Sequence, residues 1–302
     1  MPEDERKTHR VGMICAICSM TIWGVMPIYW KSLIPINSSV IILYRMSLTG
    51  VASFAAALKA YGIDGIMEPL RQKKTALKLF MTGLVIMLNW NIYIYAVNSG
   101  QIIETCIGYY IDPLVICLFG IIFFKERPTK YKFIAIMFAC FGVLIILLHF
   151  MRVPLIALAI ALTFATYTAL KKHLRVQAAI ALFYETVFVG LAAVIPIVWL
   201  EVNGKGALSA GEPYQFVILL FSGVLTATPL ILFAVSANRI SMISIGIIGY
   251  VAPSINLLIG VFLFKEAFDI VQFSAFAVIW VGIAFFTYGE IKSDPEKPLP
   301  QL

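Results

Sequence analysis

Residues 107–126 read IGYYIDPLVICLFGIIFFKE, and residues 247–266 read IIGYVAPSINLLIGVFLFKE. Placed together at an offset of 140, they share a tyrosine, a proline, a glycine and a terminal Lys-Glu pair. The register runs without a gap from 83–146 onto 223–286. Gly83 falls on Gly223, Asn98 on Asn238, Tyr110 on Tyr250, Pro113 on Pro253, Gly120 on Gly260, Lys125-Glu126 on Lys265-Glu266, and Gly142 on Gly282. Apolar segments match one another by chance, but prolines, glycines and a charged pair in one register do not. The chain is one helical unit written twice.

Composition places that unit in a bilayer. The chain is 61% hydrophobic and 13% charged, with a mean hydropathy of +0.93, far outside the range of soluble domains. Ten apolar stretches are read at roughly 11–31, 38–60, 77–97, 102–124, 130–150, 153–172, 178–200, 214–237, 242–264 and 270–289. Each is close to the ~20 residues that cross a hydrocarbon core of about 30 Å. The first stretch follows Arg6, Lys7 and Arg10 as a secretory signal would, but it runs on through Trp23, Pro27 and Trp30 without a small-residue cleavage site. It is read as the first helix.

Alternate connections hold eighteen Lys and Arg on the side of the N-terminus, against Lys31, Arg152, Lys205 and Lys265 on the other. Both ends are therefore expected in the cytoplasm, at the plasma membrane. The net charge of +7 is this topological bias and no sign of nucleic acid. Five helices per repeat is an odd number, so the second copy must stand upside down relative to the first. The expected fold is all-α and integral to the membrane. Its ten transmembrane helices form two inverted five-helix repeats, 11–150 and 151–289, with a cytoplasmic segment 1–10 and tail 290–302. Inverted repeats suit alternating access, because two near-equivalent halves can open a shared midplane site to either side in turn.

Particular strings add a family likeness. They are Trp23-Gly24-Val25-Met26-Pro27-Ile28-Tyr29-Trp30-Lys31, Tyr44-Arg45, Asn89-Trp90, Ala96-Val97-Asn98-Ser99-Gly100, Gly108-Tyr109-Tyr110-Ile111-Asp112-Pro113-Leu114 and Tyr184-Glu185-Thr186. From about residue 11 to 289 the chain resembles the RarD branch of the EamA group, in the drug/metabolite transporter superfamily. The resemblance implies a central cavity lined by the first, third, fourth, sixth, eighth and ninth helices. It also implies carriage, usually export, of small metabolites. The family pattern has Asn before the proline of the fourth helix; Asp112 departs from it and adds a titratable group.

Polar residues inside apolar stretches are the candidate site. Arg45 lies about seven residues, or ~10 Å, below the outer end of its helix. A charge at such depth costs at least ~2.5 kcal/mol unless paired or hydrated. Asp112 lies at a similar depth, so an Arg45–Asp112 pair is expected, with a structural tether or snorkelling of Arg45 as alternatives. Glu185 is the repeat equivalent of Arg45 and sits near the opposite surface. A lone carboxylate there stays protonated because ionisation forfeits hydration. It suits either proton coupling or a neutral acid hydrogen-bonded to Tyr184 or the backbone. Pro27, Pro113 and Pro253 are the expected helix breaks, and breaks at matched depth point to a binding region. Trp23, Asn89, Trp90, Tyr93, Asn98, Thr105, Tyr109, Asp112 and Tyr250 are the expected substrate contacts. Aromatic walls with a few amides suit a solute with an apolar body and polar ends. Trp30 reads as an interfacial anchor, Glu104 as an interfacial structural residue, and Glu126 and Glu266 as caps or locks.

Other classes find little support. No HExxH or Gly-x-Ser-x-Gly string occurs, so an enzyme is not expected. Cys15 and Cys18 have CxxC spacing but lie within one helix without a second cluster, so neither metal nor cofactor is expected. A membrane sensor or scaffold would carry a soluble domain. The expectation is a secondary carrier exporting amino-acid-like or drug-like amphipathic solutes, with protons as the candidate coupling ion. Uptake or lipid-linked sugar flipping is the alternative, and a homodimer is a compatible assembly.

Overall fold

The computed structural model describes residues 3–99, 101–150, 155–174, 176–265 and 270–292. Among them are ten helices long and apolar enough to cross a membrane. These are α1 Glu3–Ser32, α2 Ser38–Met67, α3 Lys73–Asn98, α4 Ile102–Phe123 and α5 Lys130–Phe150, then α6 Leu155–His173, α7 Ala178–Val202, α8 Pro213–Ala237, α9 Met242–Leu263 and α10 Ile270–Lys292.

Local chemistry sets the boundaries that hydropathy misses. α1 begins at Glu3, within the segment expected to stand apart, because Glu3, Asp4 and Glu5 in its first turn complement the positive end of the helix dipole. Asn37 starts α2 by accepting from the Ser39 amide at 2.8 Å. Regular helix is interrupted close to the expected end at 60 by a kink at Gly62 (φ 66°), a conformation glycine adopts without strain, and helical structure resumes beyond it to Met67. The prolines differ from one another. Pro27 and Pro113 sit inside helices that continue through them. In α9 the regular helix stops at Gly249, four residues before Pro253, and resumes at Val251. Proline removes the donor that the carbonyl four residues earlier would use. Only Pro253 of the three expected breaks coincides with one.

Packing repeats the sequence symmetry. α2 packs on α7, α4 on α9 and α5 on α10, each helix meeting its own repeat equivalent. The remaining major contacts come in exchanged pairs: α1 on α8 with α6 on α3, α4 on α6 with α9 on α1, and α2 on α8 with α7 on α3. Lys125 and Lys265, 140 residues apart, both take left-handed backbone (φ 52° and 53°) at the ends of α4 and α9.

Without a solvent-driven hydrophobic effect inside the bilayer, such contacts rest on close van der Waals fit. Gly223 is the extreme case, since a Cβ there would lie 2.2 Å from the Leu48 carbonyl oxygen. Gly223→Ala must therefore push α8 off α2, at a cost of about 1–3 kcal/mol. Gly83→Ala, whose Cβ would meet Glu185 Cα at 3.2 Å, should cost less. Thermal unfolding of both variants in detergent checks this order; equal midpoints would contradict it.

Candidate functional site

A cavity of about 270 Å³ lies between the repeats. Its lining comes from the portions of the helices toward the turn at 33–37. Trp23, Pro27 and Trp30 are from α1, Asn89, Trp90 and Tyr93 from α3, Tyr109, Asp112 and Pro113 from α4, and Pro253 and Asn256 from α9. α6 adds Ile160 and Phe164, and α8 adds Thr226 and Leu230. α2, absent from the set that the resemblance implied, contributes Ile42, Arg45 and Met46. Trp30 lines the cavity as well, where an anchor was expected.

The walls are aromatic and the polar groups few. The Arg45 guanidinium is flanked by the rings of Trp30 and Trp90, with its central carbon 5.5 and 5.7 Å from their centroids. Cation–π attraction holds it there without saturating its five donors. Trp23 meets Phe164 edge-on at 6.0 Å and Phe233 at 5.6 Å, forming a floor. Asn89 donates to the Ile160 carbonyl (2.9 Å) and to Thr163 Oγ1 (2.8 Å), so its NH₂ ties α3 to α6.

The expected Arg45–Asp112 ion pair is not formed. Arg45 Nε and Asp112 Oδ1 are both buried without a hydrogen-bond partner among the described residues, as is Thr226 Oγ1. Equal depth in sequence does not make two side chains meet, because each helix also has a rotation about its axis. Here the two groups share one cavity and stay apart.

Three other expected site residues fall elsewhere. Tyr250 is 1% exposed and donates to the Tyr110 carbonyl at 3.1 Å, joining α9 to α4 away from the cavity. Thr105 is buried outside the lining. The Asn98 side chain and Glu266 lie outside what the structure describes. Glu185 is neither lone nor bonded to Tyr184, whose hydroxyl donates to the Ile66 carbonyl. Its carboxylate meets Lys171 Nζ at 2.7 Å and accepts from the Tyr167 hydroxyl at 3.1 Å, with both charged side chains almost fully enclosed. Lys171 reads in sequence as a loop charge; the nearby Leu-Lys-Lys-His end of α6 gives no signal that one lysine turns inward.

The end of the bundle opposite the cavity is filled. Every residue from Ile240 to Tyr250 is buried. Glu126 accepts from the Met242 and Ile243 amides at 2.9 and 3.0 Å, locking the end of α4 to the start of α9. Lys172 lies 3.7 Å from Glu126 and donates to the Ile240 carbonyl. Lys132 and His9 both reach Glu290, at 3.2 and 3.1 Å. Glu104 is structural too, accepting from the Ile156 amide at the start of α6. The arrangement is a half-channel: an aromatic cavity with two unpaired ionisable side chains above a sealed, ion-paired end.

Known proteins are similar to this chain in sequence and in fold. The model of the EamA-like transporter family matches residues 10–148 and again 151–288. The chain is 35% identical to the uncharacterized transporter YojE of Bacillus subtilis (strain 168), over 93% of this chain and 95% of that one. Identity to RarD of Streptomyces exfoliatus is 30%, over 94% and 90%. Identity to RarD of Escherichia coli (strain K12) is 28%, over 95% and 97%. One solved crystal structure superposes with a TM-score of 0.73 over 94% of this chain and all of that one, a likeness of fold alone at 16% identity. The chain belongs to the EamA-like transporter family, in its RarD branch, and is a multi-pass membrane transporter.

Proposed function

We propose that the protein exports small amphipathic organic solutes, of amino-acid or drug character, from the cytoplasm by alternating access at the plasma membrane. The observation that carries this reading is the cavity between inverted repeats with its opposite end sealed. The lysine and arginine bias supports a cytoplasmic sealed end, with both termini on that side, and on that reading the cavity faces outward in this state. The return state seals the turn at 33–37 and parts the contacts around Glu126 and Lys171. Phe164 touches Trp23 above and Tyr167 below, at 6.0 and 5.8 Å. Tyr167 in turn holds Glu185, so the cavity floor is mechanically continuous with the sealed end. Proton coupling is assigned to Asp112, which faces the cavity, and not to Glu185, which is held by Lys171.

The test is uptake into inside-out proteoliposomes, screened over amino acids and amphipathic metabolites with a pH-sensitive dye. Solute-dependent flux above empty liposomes is expected, with counterflow of protons in the wild type and none in Asp112→Asn. No flux of any solute in either direction would overturn the carrier reading, and flux with unchanged proton movement in Asp112→Asn would overturn its coupling site.

A further inference from the structure

Resting on the carrier reading, we propose that the cavity binds a zwitterion, with the anionic group of the solute on Arg45 and its cationic group on Asp112. Both residues line the same cavity of about 270 Å³, one from α2 and the other from α4. Each has a buried side-chain atom without a partner, and no ion pair joins them. A buried charge is ordinarily paired or bonded throughout, because leaving it bare forfeits its hydration. Other groups in this bundle keep that rule: Lys171 has Glu185, Lys132 has Glu290, and Glu126 has two amides and Lys172. Arg45 and Asp112 depart from it at the cavity, and they are of opposite type; among the described residues Glu5 Oε2, in the first turn of α1 away from the cavity, is the other carboxylate atom buried without a hydrogen-bond partner and outside a described ion pair. A cavity lined by an unpaired guanidinium and an unpaired carboxyl group is the complement of a small molecule carrying a carboxylate and an ammonium, whose arrival supplies each with its counter-charge.

The surroundings define the rest of the solute. Trp30 and Trp90 flank the Arg45 guanidinium and leave its edge to donate, the fork geometry that matches a carboxylate. Trp23, Tyr93 and Tyr109 supply aromatic surface in the same cavity. Asn89 adds no donor, since its NH₂ serves Ile160 and Thr163. A purely anionic solute would leave Asp112 bare and adjacent to apolar atoms; a purely cationic one would do the same to Arg45. Selection for both charges together therefore comes from the penalty on the unpaired group as much as from the contacts made.

The experiment measures binding to purified full-length protein by quenching of tryptophan fluorescence, which Trp23, Trp30 and Trp90 report. Two zwitterions, phenylalanine and para-aminomethylbenzoate, are compared with phenylethylamine, which lacks the carboxylate, and phenylpropionate, which lacks the ammonium. At least one zwitterion should bind at least tenfold tighter than either single-charge probe, as expected for charge-assisted hydrogen bonds. Asp112→Asn should erase the advantage over phenylpropionate while keeping that over phenylethylamine. Arg45→Gln should do the reverse, and Arg45→Lys should restore part of it. A loss of fold would lower all four affinities together and leave no such crossed pattern. Equal or tighter binding of the single-charge probes, or no binding of either zwitterion, overturns the proposal. Efflux of an uncharged or singly charged solute, unchanged in both variants, would overturn it while leaving the carrier reading intact.

Discussion

Glu185→Gln should destabilise the protein by about 3–5 kcal/mol, because it strands the Lys171 ammonium inside the bundle. The pair is 2.7 Å long, its two side chains are 2% and 0% exposed, and the Tyr167 hydroxyl supports it from the side. The helices approach closely around it. A Cβ on Gly83 would already touch Glu185 Cα at 3.2 Å, and Ser53 and Thr186 bond across the α2–α7 contact at 3.2 Å. The glutamine keeps the shape of the carboxylate and removes its charge, so the loss reports the uncompensated ion. Removing both charges in Lys171→Met/Glu185→Leu should return stability to the wild-type level or raise it by ~1–4 kcal/mol, since neither ion is then desolvated. Thermal unfolding in detergent decides the matter. A double variant as unstable as Glu185→Gln would show that packing, and not charge compensation, is what the pair provides.

The second large effect is expected at Glu126. Its two oxygens take the Met242 and Ile243 amides, the first free donors of α9, and lie near Lys172. Glu126→Ala leaves both amides buried without an acceptor, at about 1–3 kcal/mol each. Glu126→Gln keeps one acceptor and should lose about half as much. Ser241 still accepts from the Ser244 amide at 3.1 Å, so the damage is confined to the first turn. Hydrogen exchange should therefore accelerate at 242–243 in Glu126→Ala while the amides beyond 244 stay protected. Uniform deprotection of the whole helix would contradict a local cap and indicate that α9 as a whole is released.

The ten spans, the two copies and the membrane setting were legible before any coordinates, because length in hydrocarbon and a shared register of Pro, Gly and Lys-Glu are one-dimensional properties. The cavity wall was partly legible for the same reason: Trp23, Asn89, Trp90, Tyr93, Tyr109 and Asp112 are polar or aromatic residues at mid-span, and all six line it. What needed the tertiary structure was direction around each helix axis. Between lipid tails and packed helices the two faces of a helix are equally apolar, so hydrophobic periodicity does not tell inward from outward. That is why Tyr250 and Thr105 turn away from the cavity, why Arg45 and Asp112 face it without meeting, and why Lys171, counted from sequence as a loop charge, closes on Glu185 instead. Sequence fixes depth; the rotation and crossing of neighbouring helices decide which residues at that depth become partners.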